Sequence, residues 1–278
     1  MRRQAAWGVL PTVAVAALLM ALGSTPGRAQ TAPPAAPGSA GAVPLRFVAC
    51  PVYRDTVNAR KSGCWLVTDP ATGLRYDLQQ APTKPQLGQA VLVEAAVPAT
   101  PQADVCGGIV LAPVRASVLA EACPATVIPA EGYPGKMFVL PGSVMTPNHL
   151  PQPQPQPPYV TQRFTIEFDF NDDYLRYQHA EVLLQTAVRL ATRGRATRIQ
   201  VTGHATTGAS TVSGQRLAEG AGLARARAEM VAEALVRLGW PRDRMVVRWG
   251  DNAAPAADTA PALAEASRRR VDVEVVVP

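Results

Sequence analysis

Apolar and polar positions follow two different periods in this chain, and the change between them falls across a proline-rich stretch ending at Pro158. Between Leu45 and Leu140 the apolar runs are short and strand-like: Arg46–Val52, Cys64–Asp69, Leu74–Leu78, Gln89–Val97, and Gly107–Leu119 with a break at Pro113. Pro70-Ala71-Thr72-Gly73, between the second and third, carries the Pro and Gly of a hairpin turn. Five short strands with no helical period predict a small all-β domain, an OB-like barrel or a sandwich.

From Tyr159 the pattern is α/β. Phe164, Ile166, Phe168 and Phe170 alternate with polar residues, which predicts a strand over Arg163–Phe170 with one buried face. Tyr174–Arg193 has helical spacing, with Val182, Leu183, Ala187 and Leu190 on one side. Arg198–Gly203 reads as a second strand and Gln215–Leu238 as a second helix, with Gly239 at its C-terminal cap. Pro241 stops that helix, and Asp243–Gly250 and Arg269–Val277 follow as strands. The order β-α-β-α-β-β predicts an open sheet covered by two helices on one side.

The segments between these blocks set the domain organisation. Residues 1–29 have a basic start (Arg2, Arg3), an apolar run Trp7–Leu22 broken by Pro11, and small residues before Gln30, the pattern of a cleavable secretory leader. The run is about 16 residues, short of the ~20 needed to span a bilayer. Residues 30–44 form an Ala/Pro-rich tether, 45–140 the β domain, 141–158 a Pro/Gln linker of polyproline II character, and 159–278 the α/β domain. The formal charge is +6, but three arginines sit in the leader, leaving 24 Lys+Arg against 21 Asp+Glu, or +3. Nucleic acid is therefore not an expected partner.

All four cysteines, Cys50, Cys64, Cys106 and Cys123, fall in the β domain, with no His among them. Gaps of 14, 42 and 17 do not give the paired close spacing of a four-thiolate zinc site, so two disulfides are expected, in keeping with an oxidising periplasm. Of the three connectivities, the sequential one, Cys50–Cys64 and Cys106–Cys123, is favoured here because it closes short loops. No metal or cofactor is expected.

The α/β half resembles the OmpA-like C-terminal domain, over about Arg163 to Val277. Phe168-Asp169-Phe170-Asn171 is similar to that family's F-x-F-(D/N) first strand, and Gly203-His204-Ala205-Thr206 to its G-H-T-D turn. Leu223-Ala224-Arg225-Ala226-Arg227-Ala228 is similar to the L-S-x-x-R-A of its second helix, and Arg269-Arg270-Val271 to its N-R-R-V signature. The resemblance implies a peptidoglycan-binding module in which an Asp after the second strand and the helix Arg clamp the diaminopimelate of the peptide stem. It implies a ligand site at Arg227, Thr206, His204, Arg268 and Arg269. Thr206 stands where the family has Asp, Gly220 and Arg268 stand where it has Asn, and the segment from Thr206 to Arg227 is about six residues longer. Half of the clamp is thus missing, with no nearby carboxylate in register to replace it.

On a 3.6-residue helix Leu223, Val231 and Ala234 lie within about 40° of Arg227, so its guanidinium belongs to the stripe that faces the sheet. It must then be paired, either with a ligand or with a structural acid such as Asp251. His204 at a strand end is read as fixing the turn or contacting ligand, and Arg268–Arg270 as a solvated edge or part of the site. Asp172-Asp173 reads as a helix cap rather than a catalytic pair. No nucleophile, phosphate-loop or metalloprotease motif is present in the sequence, so catalysis is not expected. These observations point to a non-enzymatic periplasmic protein, associated with peptidoglycan weakly and non-covalently and meeting an envelope partner through its β domain. The alternative is an OmpA-like fold with a degenerate glycan site acting as a protein-interaction module.

Overall fold

A computed structural model describes residues 43–55, 61–100, 106–130, 132–133, 136–137, 154–176 and 178–278. The expected leader, the tether up to residue 42 and the linker up to residue 153 lie outside the described residues. Among the described residues no helix is long and apolar enough to cross a membrane.

Among the described residues the first region has ten strands: β1 Val43–Ala49, β2 Val52–Arg54, β3 Lys61–Ser62, β4 Cys64–Thr68, β5 Arg75–Asp77, β6 Gln89–Val97, β7 Ile109–Val110, β8 Val114–Ala122, β9 Thr126–Ile128 and β10 Lys136–Met137. They give a three-stranded antiparallel sheet β1-β6-β8, a five-stranded sheet β7-β5-β4-β2-β9 and a small β3/β10 pair. Phe47, Val91, Val93 and Ala116 from the first sheet share one core with Val67 and Tyr76 from the second sheet and Leu78 just after β5. No strand pairing among the described residues links the two larger sheets into a closed barrel. Strand β6 is buried on both faces from Ala90 to Ala96, which is why its sequence is apolar without alternation. Glu94 is the exception within it.

The four cysteines pair as Cys50–Cys123 and Cys64–Cys106, correcting the sequential pairing favoured from the sequence. Topology explains the difference. β1 and β8 both run antiparallel to β6, so they run parallel to one another, and Cys50 and Cys123 leave them at the same end. Cys64 opens β4 and Cys106 precedes β7, on either side of β5, and the chain between Cys106 and β7 turns at Gly107, with φ of 81°.

The second region contains β11 Gln162–Glu167, α1 Gln178–Arg193, β12 Arg198–Ala205, β13 Ser210–Val212, β14 Gln215–Leu217, α2 Leu223–Arg237, β15 Met245–Asp251 and β16 Arg270–Val276. The main sheet has the order β11-β16-β12-β15, with only the β12/β15 pair parallel. On one face Phe164, Ile166, Ile199, Val201, Val271, Val273 and Val275 pack against Leu184, Ala187 and Leu190 of α1 and Val231 and Leu235 of α2. The other face is polar, with Thr165, Gln200, Asp272 and Glu274 hydrogen-bonded across strands.

Helix α2 starts at Leu223, later than the sequence pattern suggests. Residues 210–217 instead form a two-stranded hairpin, β13/β14, that pairs with no other strand among the described residues. Its turn is Ser213-Gly214, with φ of 49° and 78°, and two successive positive φ values match the twist of a two-residue hairpin loop. The extra length between Thr206 and Arg227 is therefore this hairpin and the connector to α2.

The two regions are packed together. Val48, Ala90, Leu92 and Leu119 of the first form a buried cluster with Phe170, Val212 and Leu217 of the second. Glu94 accepts both arms of Arg269, and Arg46 donates to the same carboxylate at 3.2 Å.

Candidate functional site

The residues singled out around the family-like motifs come together at one end of the main sheet. Gly203 permits this. A Cβ there would lie 2.1 Å from the Ala224 carbonyl oxygen, so β12 and α2 approach closely only because the position lacks a side chain. The close approach brings Arg227, one turn beyond Ala224 on α2, against the strand ends.

Arg227 is fully buried. Its guanidinium uses every donor it has. Nε donates to the Asp172 carbonyl at 2.8 Å; Nη1 donates to the His204 carbonyl at 2.9 Å and to Glu219 Oε2 at 3.1 Å. Nη2 donates to the Asp169 carbonyl at 3.0 Å and to Glu219 Oε1 at 2.6 Å. The pairing with Glu219 is a two-pronged fork, the strongest geometry open to an Arg–carboxylate pair.

Glu219 is equally enclosed, its side chain 0% exposed. The Asn171 N–H donates to Oε1 at 2.9 Å and the Thr206 N–H to Oε2 at 2.6 Å. The main chain returns both contacts: Glu219 N–H donates to the Thr206 carbonyl at 3.0 Å, and Gly220 N–H to Asn171 Oδ1 at 3.0 Å. Four N–H donors from three residues thus surround one carboxylate. The acid that meets Arg227 is Glu219, not Asp251, which is exposed on β15. It lies 13 residues after Thr206 in the chain and sits against it in space.

The other expected site residues are placed differently. Thr206 contributes its main chain to the cradle, while its buried hydroxyl has no hydrogen-bond partner. His204 lends its carbonyl to Arg227 and turns its ring to the opposite face, with Nε2 3.3 Å from Asp272 Oδ2. Burial pushes the Asp272 carboxyl up, but the hydrogen bond from His204 and the charge of Arg270 outweigh it and hold the group below the usual carboxylate range. Arg268 pairs with Glu265 at 3.4 Å, and Arg269 is 1% exposed and bonded to Glu94. Burial pulls the Arg269 guanidinium down, yet the adjacent Glu94 charge more than offsets it, so it is held charged. Arg227, Thr206 and the His204 main chain therefore share one cradle, and Arg268 and Arg269 lie outside it.

Sequence reasoning did not single out Glu219. The available signal was Ser213-Gly214 between Thr211-Val212 and Arg216-Leu217, a hairpin turn that shortens the helix and returns the next residues to the strand end. Glu94 was also detectable, as one acid inside an apolar strand. Among the described residues no group of His, Cys, Asp or Glu is arranged to hold a metal ion.

A family profile described as the OmpA family matches residues 167–269. No curated protein matches the chain. Among solved structures it is similar to the OmpA-like domain of FopA1 from Francisella tularensis, at 17% identity over 42% of this chain and 73% of that one, with a TM-score of 0.34. It is similar to the peptidoglycan-associated lipoprotein from Burkholderia pseudomallei, at 24% identity over 39% and 86% of the two chains, TM-score 0.31. The cell wall anchor of the T6SS from Pseudomonas aeruginosa is similar at 21% identity over 42% and 82%, TM-score 0.33. The segment from Glu167 to Arg269, which holds the Arg227 cradle, is a domain of the OmpA family.

Proposed function

We propose that the protein is a non-enzymatic component of the cell envelope, exported to the periplasm by the leader at residues 1–29, whose OmpA-like domain associates non-covalently with the peptide stem of peptidoglycan. Membership of residues 167–269 in the OmpA family supports the general role. The observation that carries the finer reading is that Arg227 sits in a cradle already shaped around a carboxylate. A guanidinium fork with two main-chain N–H groups is the chemistry that a diaminopimelate carboxylate would use.

The occupant favours a second reading. With Glu219 in the fork and Thr206 in place of an Asp, the domain would serve as a protein-interaction module with its glycan site filled from within. Co-sedimentation of the full chain with purified sacculi separates the two. Retention displaced by a soluble diaminopimelate stem peptide, and not by its amidated form, is expected from the first. Absence of retention, by a Glu219→Ala variant as well as by the native chain, selects the second.

A further inference from the structure

Glu219 does not belong to the sheet or to α2. It lies on the connector between β14 and α2, immediately after a hairpin whose strands, among the described residues, pair only with each other. Such a segment can move without breaking the main sheet. What holds it is the first region of the molecule. Val212 and Leu217 of the hairpin are buried against Val48, Ala90, Leu92 and Leu119. The Val48 N–H donates to Ser213 Oγ at 3.0 Å, and Arg46 donates to Ser210 Oγ at 3.2 Å. Beside the hairpin lies a cleft of about 610 Å³, bordered by Asn171, Asp172 and Leu217, residues that also flank the cradle.

A buried guanidinium without a partner is costly, so the cradle needs a carboxylate from some source. Here the source is tethered. We propose that Glu219 is an internal stand-in for a ligand carboxylate, and that the β13/β14 hairpin, seated on the β region, is an autoinhibitory strap that keeps the Arg227 cradle closed. Displacing the strap would return the fork and the Asn171 and Thr206 N–H groups to an external carboxylate entering from the cleft. That this carboxylate belongs to peptidoglycan rests on the function proposed above; that the cradle accepts one does not.

The test uses the full chain. Glu219→Ala removes the atoms that acetate would restore, so acetate should raise the unfolding midpoint of this variant by several degrees over chloride at equal ionic strength. Wild type should show no such difference, and neither should Glu219→Gln, whose amide still fills the cradle. The same Glu219→Ala protein should bind sacculi at least ~10-fold more tightly than wild type, the equivalent of one charge-assisted contact. Acetate stabilisation without sacculus binding would support the strap and remove peptidoglycan as the ligand. A folded Glu219→Ala protein indifferent to acetate, or wild type stabilised equally, would overturn the proposal. Should Glu219→Ala not fold, Val212→Ser loosens the seat of the hairpin and leaves the ion pair intact. Hydrogen exchange at the Thr206 and Asn171 amides should then quicken by ~10-fold or more. Unchanged protection there would show that the β region does not hold the strap closed.

Discussion

The two regions solve the same problem by different means. In the α/β region two helices lie over one face of a four-stranded sheet, and their apolar stripes supply a continuous core from Phe164 to Val275. In the β region two sheets face each other over a smaller core, and two disulfides tie its strand ends. Two buried Arg–Glu pairs have opposite reach. Arg227–Glu219 closes a site within the α/β region, whereas Arg269–Glu94 joins the two regions. The difference teaches that covering helices make a sheet self-sufficient in apolar contacts, while thin facing sheets depend on covalent and ionic ties.

Reduction is the strongest way to break this contrast. The bridges span 73 and 42 residues, and loops of that size correspond to about 4 kcal/mol each by chain entropy. Scanning calorimetry with a reductant is expected to remove the transition of the β region while the α/β region still melts cooperatively. Loss of both together would mean that the α/β core is not self-sufficient.

Next in size is Glu94→Ala. It leaves Arg269 buried without its carboxylate and takes from Arg46 its partner, at a cost of about 3–5 kcal/mol. Because the pair bridges the regions, the variant should also move the thermal transitions of the two regions further apart. Unchanged midpoints would show that the apolar cluster of Val48, Leu92, Leu119 and Phe170 alone couples them.

The same contrast governs what the sequence reveals. The alternation at Phe164, Ile166 and Phe168 and at Val271, Val273 and Val275 is visible because one face of that sheet meets helices and the other is polar. The helical period of α2 likewise places Arg227 on the inward stripe, and the structure finds it fully buried there. Its partner is not legible in this way. Glu219 lies on a connector, where no period applies, and its contact depends on a hairpin folding back over the strand end. The Cys50–Cys123 pairing is hidden for the same reason, since it follows from β1 and β8 running parallel and not from spacing along the chain.

A smaller effect tests the geometry that places Arg227. Gly203→Ala would set a methyl 2.1 Å from the Ala224 carbonyl oxygen and 2.9 Å from the Ala228 Cβ, forcing α2 away from β12. Overpacking of this kind costs about 1–3 kcal/mol. The denaturation midpoint should fall with an unchanged slope, and the loss should be confined to the α/β region, sharpening the independence of its core. An equal shift in the β region would contradict that independence.

The smallest expected effect concerns the polar face of the α/β sheet and depends on pH. Asp272 accepts from Thr165 Oγ1 at 3.1 Å and from Arg270 Nε at 3.1 Å, and His204 Nε2 lies 3.3 Å away. Burial alone would raise this carboxyl, but the hydrogen bond from His204 and the Arg270 charge prevail, so its folded value lies below its unfolded one. In the acid range the unfolded chain therefore binds the proton first. The contribution of Asp272 is fully present above the ordinary carboxylate range and is lost as pH falls through the lowered folded value. Asp272→Asn should cost on the order of 1 kcal/mol at neutral pH, and the penalty should shrink toward zero as acid protonates the wild-type group. Melting curves of the two proteins from pH 7 down to strong acid should converge at the low end. Parallel curves would mean that the carboxylate charge does no stabilising work on this face and that its contacts act only through shape.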